Sequence, residues 1–150
     1  MRDLAQDLRP PLLDELGLEA SLRWYVDREA RRAGLEFDLA FSLAANRPAP
    51  AVETTCFRVA QEALTNVIRH ARARRVAIEL DGGAEGALVL AVRDDGKGFD
   101  VAAARKSATS QGLLGMQERV ALVGGEFRIE SGPDGTTVRA RLPLDGCAPP

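Results

Sequence analysis

Cysteine is scarce in this 150-residue chain, which contains only Cys56 and Cys147. Two cysteines this far apart form neither a disulfide framework nor a metal-binding spacing. Cys56 lies on an apolar helical face and is expected in the core, whereas Cys147 lies in a tail that contains Pro and Gly. This usage fits a reducing, cytoplasmic setting.

Long apolar runs and an excess of either charge are also absent. No apolar stretch approaches the roughly 20 residues that span a bilayer, and the first residues include Arg2 and Asp3 where a signal peptide would be apolar. We therefore expect a soluble segment with no membrane contact of its own, whether or not a longer parent protein is membrane-anchored.

The charge balance argues against a nucleic-acid partner. The formal net charge is −2, so no global field favours nucleic acid. The basic cluster at residues 69–75 has no interleaved aromatic side chain, which argues against a nucleic-acid patch.

Two further absences concern organisation. No internal repeat is visible, and no Gly-Lys-Ser/Thr sequence occurs, which excludes a Walker phosphate loop. With 45% hydrophobic and 28% charged residues, the chain has the size and composition of one domain with its own core.

Hydrophobic periodicity predicts helices interspersed with strands. The predicted helices span residues 2–9, 18–33, 51–72 (the longest) and about 113–123. The predicted strands span residues 35–41, 75–81, 86–94, 126–131 and 135–142. Residues 99–111 lack an apolar period and are expected to be mobile. The pattern predicts an α+β fold, with a mixed or antiparallel sheet and helices packed on one face.

An acidic turn follows the strand at 86–94. Asp94 leads into a Gly-x-Gly turn made by Gly96 and Gly98. The sheet holds the carboxylate rigidly, and the glycines let the backbone approach a ligand closely. This turn suits a small-molecule site, although such Asp-Gly sequences more often mark plain surface turns.

The helix at 51–72 carries a polar group of side chains. Glu62 and Asn66 are i,i+4 partners on one face, and Arg69 and His70 follow within about one turn. Carboxylate and amide oxygens suit Mg²⁺, and an arginine suits phosphate oxygens. The alternative is a solvated polar stripe on an amphipathic helix.

Two glycine-containing segments complete the set of motifs. Residues 110–116 resemble a loop that opens a helix and presents free N–H groups to anions, or simply a helix start with a flexible joint. Thr136 follows Gly135 at the start of the last strand, where it could face a bound base or only form part of a hairpin turn.

In this order along the chain, the motifs resemble those of the ATP-binding domain of sensor histidine kinases, in the gyrase, Hsp90, histidine kinase and MutL ATPase superfamily. Residues 8–18, 57–71 and 112–120 resemble, more narrowly, the nitrate-sensor/DesK-type subfamily. The resemblance covers nearly the whole chain. It implies the Bergerat ATP-binding fold, a two-layer α/β sandwich. Residues 1–17 would be the tail of a dimerisation helix and a linker, residues 18–145 the catalytic domain, and residues 146–150 a C-terminal tail.

The resemblance also implies roles for individual residues. Asp94 would accept a hydrogen bond from the adenine amine, and Asn66 would coordinate Mg²⁺ with Glu62 beside it. Residues 99–111 would form a lid over the phosphates, with Lys106 as a contact at its tip. The implied nucleotide-binding set is Asn66, Arg69, His70, Asp94, Gly96, Gly98, Phe99, Lys106, Gly112, Leu113, Leu114, Gly115 and Thr136. The implied catalytic and metal residues are Glu62 and Asn66.

The implied activity is transfer of the γ-phosphoryl group of Mg-ATP to a histidine on a dimerisation domain, for relay to a response-regulator aspartate. His70 is the single histidine here and lies in the site helix, so the acceptor is expected outside this chain and the isolated domain is expected to be monomeric. Asp95 and Ser110 stand where many relatives have Asn and Gly. The alternatives are an anti-sigma-factor Ser/Thr kinase and a nucleotide-free docking module.

Overall fold

The computed structural model describes residues 10–43, 47–82, 86–98 and 111–145. The helices in these ranges are α1 (Pro11–Ala33), α2 (Pro50–Asn66), which continues as a π-helix (Val67–Ala71), and α3 (Gln111–Leu122). The strands are β1 (Glu36–Leu43), β2 (Arg75–Gly82), β3 (Ala87–Asp94), β4 (Glu126–Gly132) and β5 (Gly135–Pro143). Their order in the sheet is β1-β2-β3-β5-β4. Only the β1–β2 pair among these strands is parallel, which confirms the predicted mixed, mostly antiparallel sheet.

One face of the sheet is apolar and buried. The register places Ile78 beside Val92 and Val92 beside Val138, and all three side chains belong to the core together with residues of α1, α2 and α3. Alternate residues of the same strands, such as Glu79 and Arg139, are exposed on the other face. Because side chains alternate along a strand, this pattern shows that the helices pack on one face, as predicted.

Helix α1 begins earlier than the predicted residue 18. Pro11 occupies its first turn, where the missing N–H would have no helical partner in any case, so Pro11 starts this helix. Gly17 (φ 82°, ψ 175°) then kinks the helix in a conformation that glycine tolerates. The helix predicted at 2–9 lies outside the described residues.

An ion pair between the exposed Arg47 and the buried Glu53 links the first turn of α1 to the start of α2. The Glu53 side chain is 2% exposed and accepts hydrogen bonds from Arg47 Nε at 3.0 Å and Nη2 at 3.2 Å. Arg47 Nη2 also donates to the Leu13 carbonyl at 3.2 Å, and the Leu13 side chain is fully buried. Residues just before position 18 therefore pack onto the core of the domain.

Consecutive strands form two antiparallel pairs, β2–β3 and β4–β5. The turn between β4 and β5 is formed by Pro133 and Asp134. The core includes Cys56, as expected, whereas Cys147 lies outside the described residues. Within the described ranges, the structure has no helix both long and apolar enough to cross a membrane.

Candidate functional site

Asp94 is the last residue of β3 and lies beside the start of β5. Its Oδ1 accepts a hydrogen bond from the Gly96 N–H at 2.8 Å, and its carboxylate also accepts one from the Thr136 N–H. Burial raises the pKa of Asp94 above its ordinary value of 3.8, and this effect outweighs the two hydrogen bonds, which lower it. An ionised carboxylate has about four lone-pair positions, so Asp94 keeps acceptor capacity for a ligand.

Close backbone contacts hold the turns around Asp94 together. Gly135 lies so close to the Asp94 carbonyl oxygen that a Cβ there would collide with it, and Gly98 lies equally close to the Gly132 carbonyl. Both glycines have positive φ angles, 133° for Gly135 and 69° for Gly98. The structure therefore places Gly96 and Thr136 beside the Asp94 carboxylate and Gly98 beside the end of β4.

Thr136 is the one buried polar residue of the described part of β5. Its Oγ1 lies 2.7 Å from Ser131 Oγ, so the two hydroxyls share a hydrogen bond. A cavity of about 400 Å³ opens here and is lined by Arg93, Asp94 and residues 130–137. No residue of α2 or α3 lines this cavity, so it lies beside the β4–β5 turn and does not extend to the helices.

The second part of the site lies where α2 packs on α3. Gly112 lies against Glu62, because a Cβ at Gly112 would collide with Glu62 Oε1. Glu62 is only partly buried, and its carboxylate lies beside the first turn of α3, where N–H groups lack helical partners. The sequence predicted roles for both residues but not this contact.

The glycine-containing segment is helical from its start in the described part of the chain. We expected a loop followed by a helix near 113, but α3 begins at Gln111, so residues 112–115 form its first turns. Leu113 points into the core with 7% of its surface exposed, whereas Leu114 is 52% exposed. N–H groups available to a ligand would therefore be those of the first helical turn and not those of a loop. The helix starts earlier than expected because Leu113, Met116 and Val120 form an apolar stripe that extends to this end of the helix.

The end of α2 differs from the helix predicted over 51–72. Asn66 is the last α-helical residue, residues Val67–Ala71 are π-helical, and Arg72 is left-handed with φ 52°. Such π-helical turns are frequent at functional sites, and a left-handed non-glycine residue is uncommon. Asn66 is partly buried and Arg69 is exposed; the His70 side chain, Phe99 and Lys106 lie outside what the structure describes.

Tyr25, which the sequence analysis did not single out, supports this helix from α1. Its hydroxyl shares a hydrogen bond with the side chain of Thr65, the residue before Asn66. Its ring packs edge-on against Phe57, with the centroids 5.6 Å apart. Burial raises the pKa of Tyr25, and the nearby carboxylates of Glu29 and Glu62 raise it further. The signal available in the sequence was only that Tyr25 is the single tyrosine.

Metal-binding groups are few. The described residues contain no group of three or more His, Cys, Asp or Glu side chains that could hold an ion. A cation that relied on Glu62 and Asn66 would therefore need further oxygen ligands from a substrate or from water.

A family model for histidine kinase-, DNA gyrase B- and HSP90-like ATPases matches residues 51–146. The chain belongs to this family. The matched region holds α2, the π-helix, α3 and strands β2 to β5, and thus both parts of the site.

Individual curated relatives agree with this assignment. The chain is 37% identical over 150 residues to the sensor histidine kinase MctS of Rhizobium johnstonii, covering 99% of this chain and 32% of that protein. It is 35% identical over 145 residues to the histidine-protein kinase/phosphatase DegS of Brevibacillus brevis, covering 96% of this chain and 37% of DegS. The chain thus spans about a third of the length of the curated relatives it matches.

The fold is also that of solved members. The histidine kinase domain of a blue-light-activated histidine kinase from Erythrobacter litoralis aligns with a TM-score of 0.67 at 22% identity, covering 85% of this chain and 61% of that one. The predicted fold class and the predicted resemblance to sensor histidine kinases are both confirmed.

Proposed function

We propose that this chain is the catalytic, ATP-binding domain of a sensor histidine kinase. The observation that carries the proposal is the partly buried Asp94 carboxylate, which is held by Gly96 and Thr136 at the end of β3 in a chain whose relatives are sensor histidine kinases. A buried acceptor at a strand end can select one edge of a planar base.

The adenine end of the site would be built around Asp94. Its carboxylate would accept a hydrogen bond from the exocyclic amine of adenine, with Gly96 and Gly98 allowing the backbone to pass close to the nucleotide. Thr136 lies next to this carboxylate. Guanine carries a carbonyl oxygen at the corresponding position, which would face the Asp94 carboxylate without a proton between them, so the site should prefer adenine.

The phosphate end would be built around α2 and the first turn of α3. Glu62 and Asn66 supply one carboxylate and one amide oxygen, which fit Mg²⁺ held mainly by substrate phosphates and water. When bound, Mg²⁺ would neutralise charge on the phosphates. Arg69 and the N–H groups of residues 112–115 would bind phosphate oxygens, and Lys106 and Phe99 would contact the nucleotide from the lid segment.

The reaction would be in-line transfer of the γ-phosphoryl group to a histidine nitrogen. The bond from the γ-phosphorus to the bridging oxygen breaks, ADP leaves, and a phosphorus–nitrogen bond forms. This chain's contribution is positioning and charge neutralisation. The acceptor histidine would lie on a dimerisation domain outside this chain, with residues 1–17 leading from it, and a response regulator would receive the phosphoryl group in the cytoplasm.

The experiment is incubation of the chain with γ-labelled ATP and a dimerisation-domain fragment that carries the acceptor histidine. Acid-labile, alkali-stable label on the fragment, lost when its histidine is changed to glutamine, is the expected result. Label on Ser or Thr of an added partner protein would instead identify a Ser/Thr kinase. Nucleotide binding without any transfer to the fragment would contradict the histidine kinase assignment.

A further inference from the structure

Asp95, the neighbour of Asp94, makes backbone contacts of its own. Its Oδ1 accepts hydrogen bonds from the Arg74 N–H at 2.8 Å and the Arg75 N–H at 3.0 Å. Its own N–H donates to the Arg75 carbonyl at 3.3 Å. Since the β2–β3 ladder ends with Val76 opposite Asp94, these three hydrogen bonds extend the pairing of the two chain segments beyond the strands.

The segment that is hydrogen-bonded to Asp95 follows the π-helix in the chain. Residues Val67–Ala71 form that helix, Arg72 is left-handed, and Arg74 and Arg75 follow after one intervening residue. The Arg74 carbonyl also accepts a hydrogen bond from the Glu36 N–H at 2.9 Å, so the segment lies between β1 and the end of β3. The left-handed Arg72 is a conformation that persists only where surrounding contacts impose it.

Asp94 and Asp95 therefore form hydrogen bonds with different partners. Neighbouring residues at a strand end point to opposite sides. Asp94 is partly buried and lies by Gly96 and Thr136, whereas Asp95 is exposed and binds the two backbone N–H groups. The hydrogen bonds to those N–H groups lower the pKa of Asp95, so it is a carboxylate acceptor at neutral pH.

We propose that Asp95 is a positioning residue of the nucleotide site, which fixes the π-helical end of α2 relative to Asp94 and so sets the spacing between the phosphate and adenine ends. The inference rests on the proposed function, because it assigns those two ends to one nucleotide. A nucleotide that bridges two rigid elements is sensitive to their spacing, and a misplacement of about 1 Å can cost roughly 100-fold in a reaction.

Three substitutions separate hydrogen-bond geometry from charge. Asp95→Asn keeps an acceptor oxygen in place and removes the charge, Asp95→Glu keeps the charge and moves the oxygen by one methylene, and Asp95→Ala removes both. The dissociation constant for ADP with Mg²⁺ is measured by calorimetry, alongside urea unfolding and hydrogen exchange of the Arg74 and Arg75 amides. Asp81→Ala is the matched control, because Asp81 is an exposed carboxylate near the opposite end of β2.

We expect Asp95→Asn to bind ADP within about threefold of the wild type, and Asp95→Ala and Asp95→Glu to bind it about tenfold more weakly or worse. Amide exchange at Arg74 and Arg75 should accelerate in the same two variants, and Asp81→Ala should match the wild type. If Asp95→Ala does not fold, the contrast between Asn and Glu decides the question.

Wild-type ADP affinity in a folded Asp95→Ala variant would overturn the inference. Weak ADP binding by Asp95→Asn together with wild-type binding by Asp95→Glu would also overturn it, since that pair of results indicates a charge effect. The proposed function fails separately: its failure would appear as a wild-type chain that binds no ADP. In that case the amide exchange still reports whether Asp95 holds the segment.

Discussion

Removal of the Tyr25 hydroxyl is expected to weaken the attachment of α1 to the turn of α2 that carries Glu62 and Asn66. In Tyr25→Phe the ring keeps its edge-on contact with Phe57, so the change isolates the hydrogen bond to Thr65. A hydrogen bond of this kind contributes about 0.5–1.5 kcal/mol to the free energy of unfolding. For a domain of this size, a loss of about 1 kcal/mol lowers the melting temperature by roughly 2–4 °C.

The assay is a double-mutant cycle in urea. The free energy of unfolding is measured for the wild type, Tyr25→Phe, Thr65→Val and the double variant, and we expect a coupling energy of about 1 kcal/mol. Trp24→Phe is the control, because Trp24 is 48% exposed on the same helix and its ring packs against Arg28. Additive single-variant effects, within about 0.3–0.5 kcal/mol, would refute the assignment of this hydrogen bond.

Tyr25 should also make the free energy of unfolding depend on pH in the alkaline range. Because the folded-state pKa of Tyr25 is raised above the ordinary value of 10.0, the stability that it contributes is full below that value and is lost as pH rises through the folded-state pKa. The wild type should therefore lose more stability than Tyr25→Phe on the alkaline side. Parallel unfolding curves for the two proteins at alkaline pH would contradict this.

Three further predictions concern the core and the adenine end. Glu53→Gln should lower the free energy of unfolding by about 1–3 kcal/mol, because Arg47 loses its buried carboxylate partner, and unchanged urea unfolding would rule this out. Gly135→Ala should weaken ADP binding and destabilise the fold through the contact with the Asp94 carbonyl, whereas Gly34→Ala, also at a positive φ but at the end of α1, should destabilise the fold without changing the ADP affinity; calorimetry compares the two. ADP affinity should fall as pH drops through the raised pKa of Asp94, because the protonated carboxyl loses an acceptor site. If ADP affinity fell only at the pH where an ordinary aspartate is protonated, Asp94 would not be the acceptor.

The sheet could be predicted from the sequence because its signals are local. Strands such as Glu126–Gly132 alternate between exposed and partly buried residues, and Pro133 and Asp134 mark the turn that follows. The motif Asp94–Gly98 at the end of a strand likewise predicted a tight turn around a carboxylate, and in the structure the N–H groups of Gly96 and Thr136 donate to Asp94.

The features that the sequence missed depend on context that a local pattern does not contain. The π-helical turn at Val67–Ala71 uses residues that also suit an α-helix, and Pro11 is compatible with either the end or the start of a helix. The contact of Tyr25 with Thr65 and those of Asp95 with Arg74 and Arg75 join residues far apart in the chain. These contacts follow from packing rather than from periodicity.

The most direct test of the central claim is calorimetric titration of the wild type and Asp94→Asn with ADP in the presence of Mg²⁺, with GDP as the comparison ligand. We predict micromolar binding of ADP by the wild type, weaker binding of GDP, and at least about tenfold weaker binding of ADP by Asp94→Asn, since leaving a buried polar edge unpaired costs about 1–3 kcal/mol. No binding by a folded wild-type sample, or equal ADP affinity in Asp94→Asn, would contradict the assignment of Asp94 to adenine and with it the proposed nucleotide site.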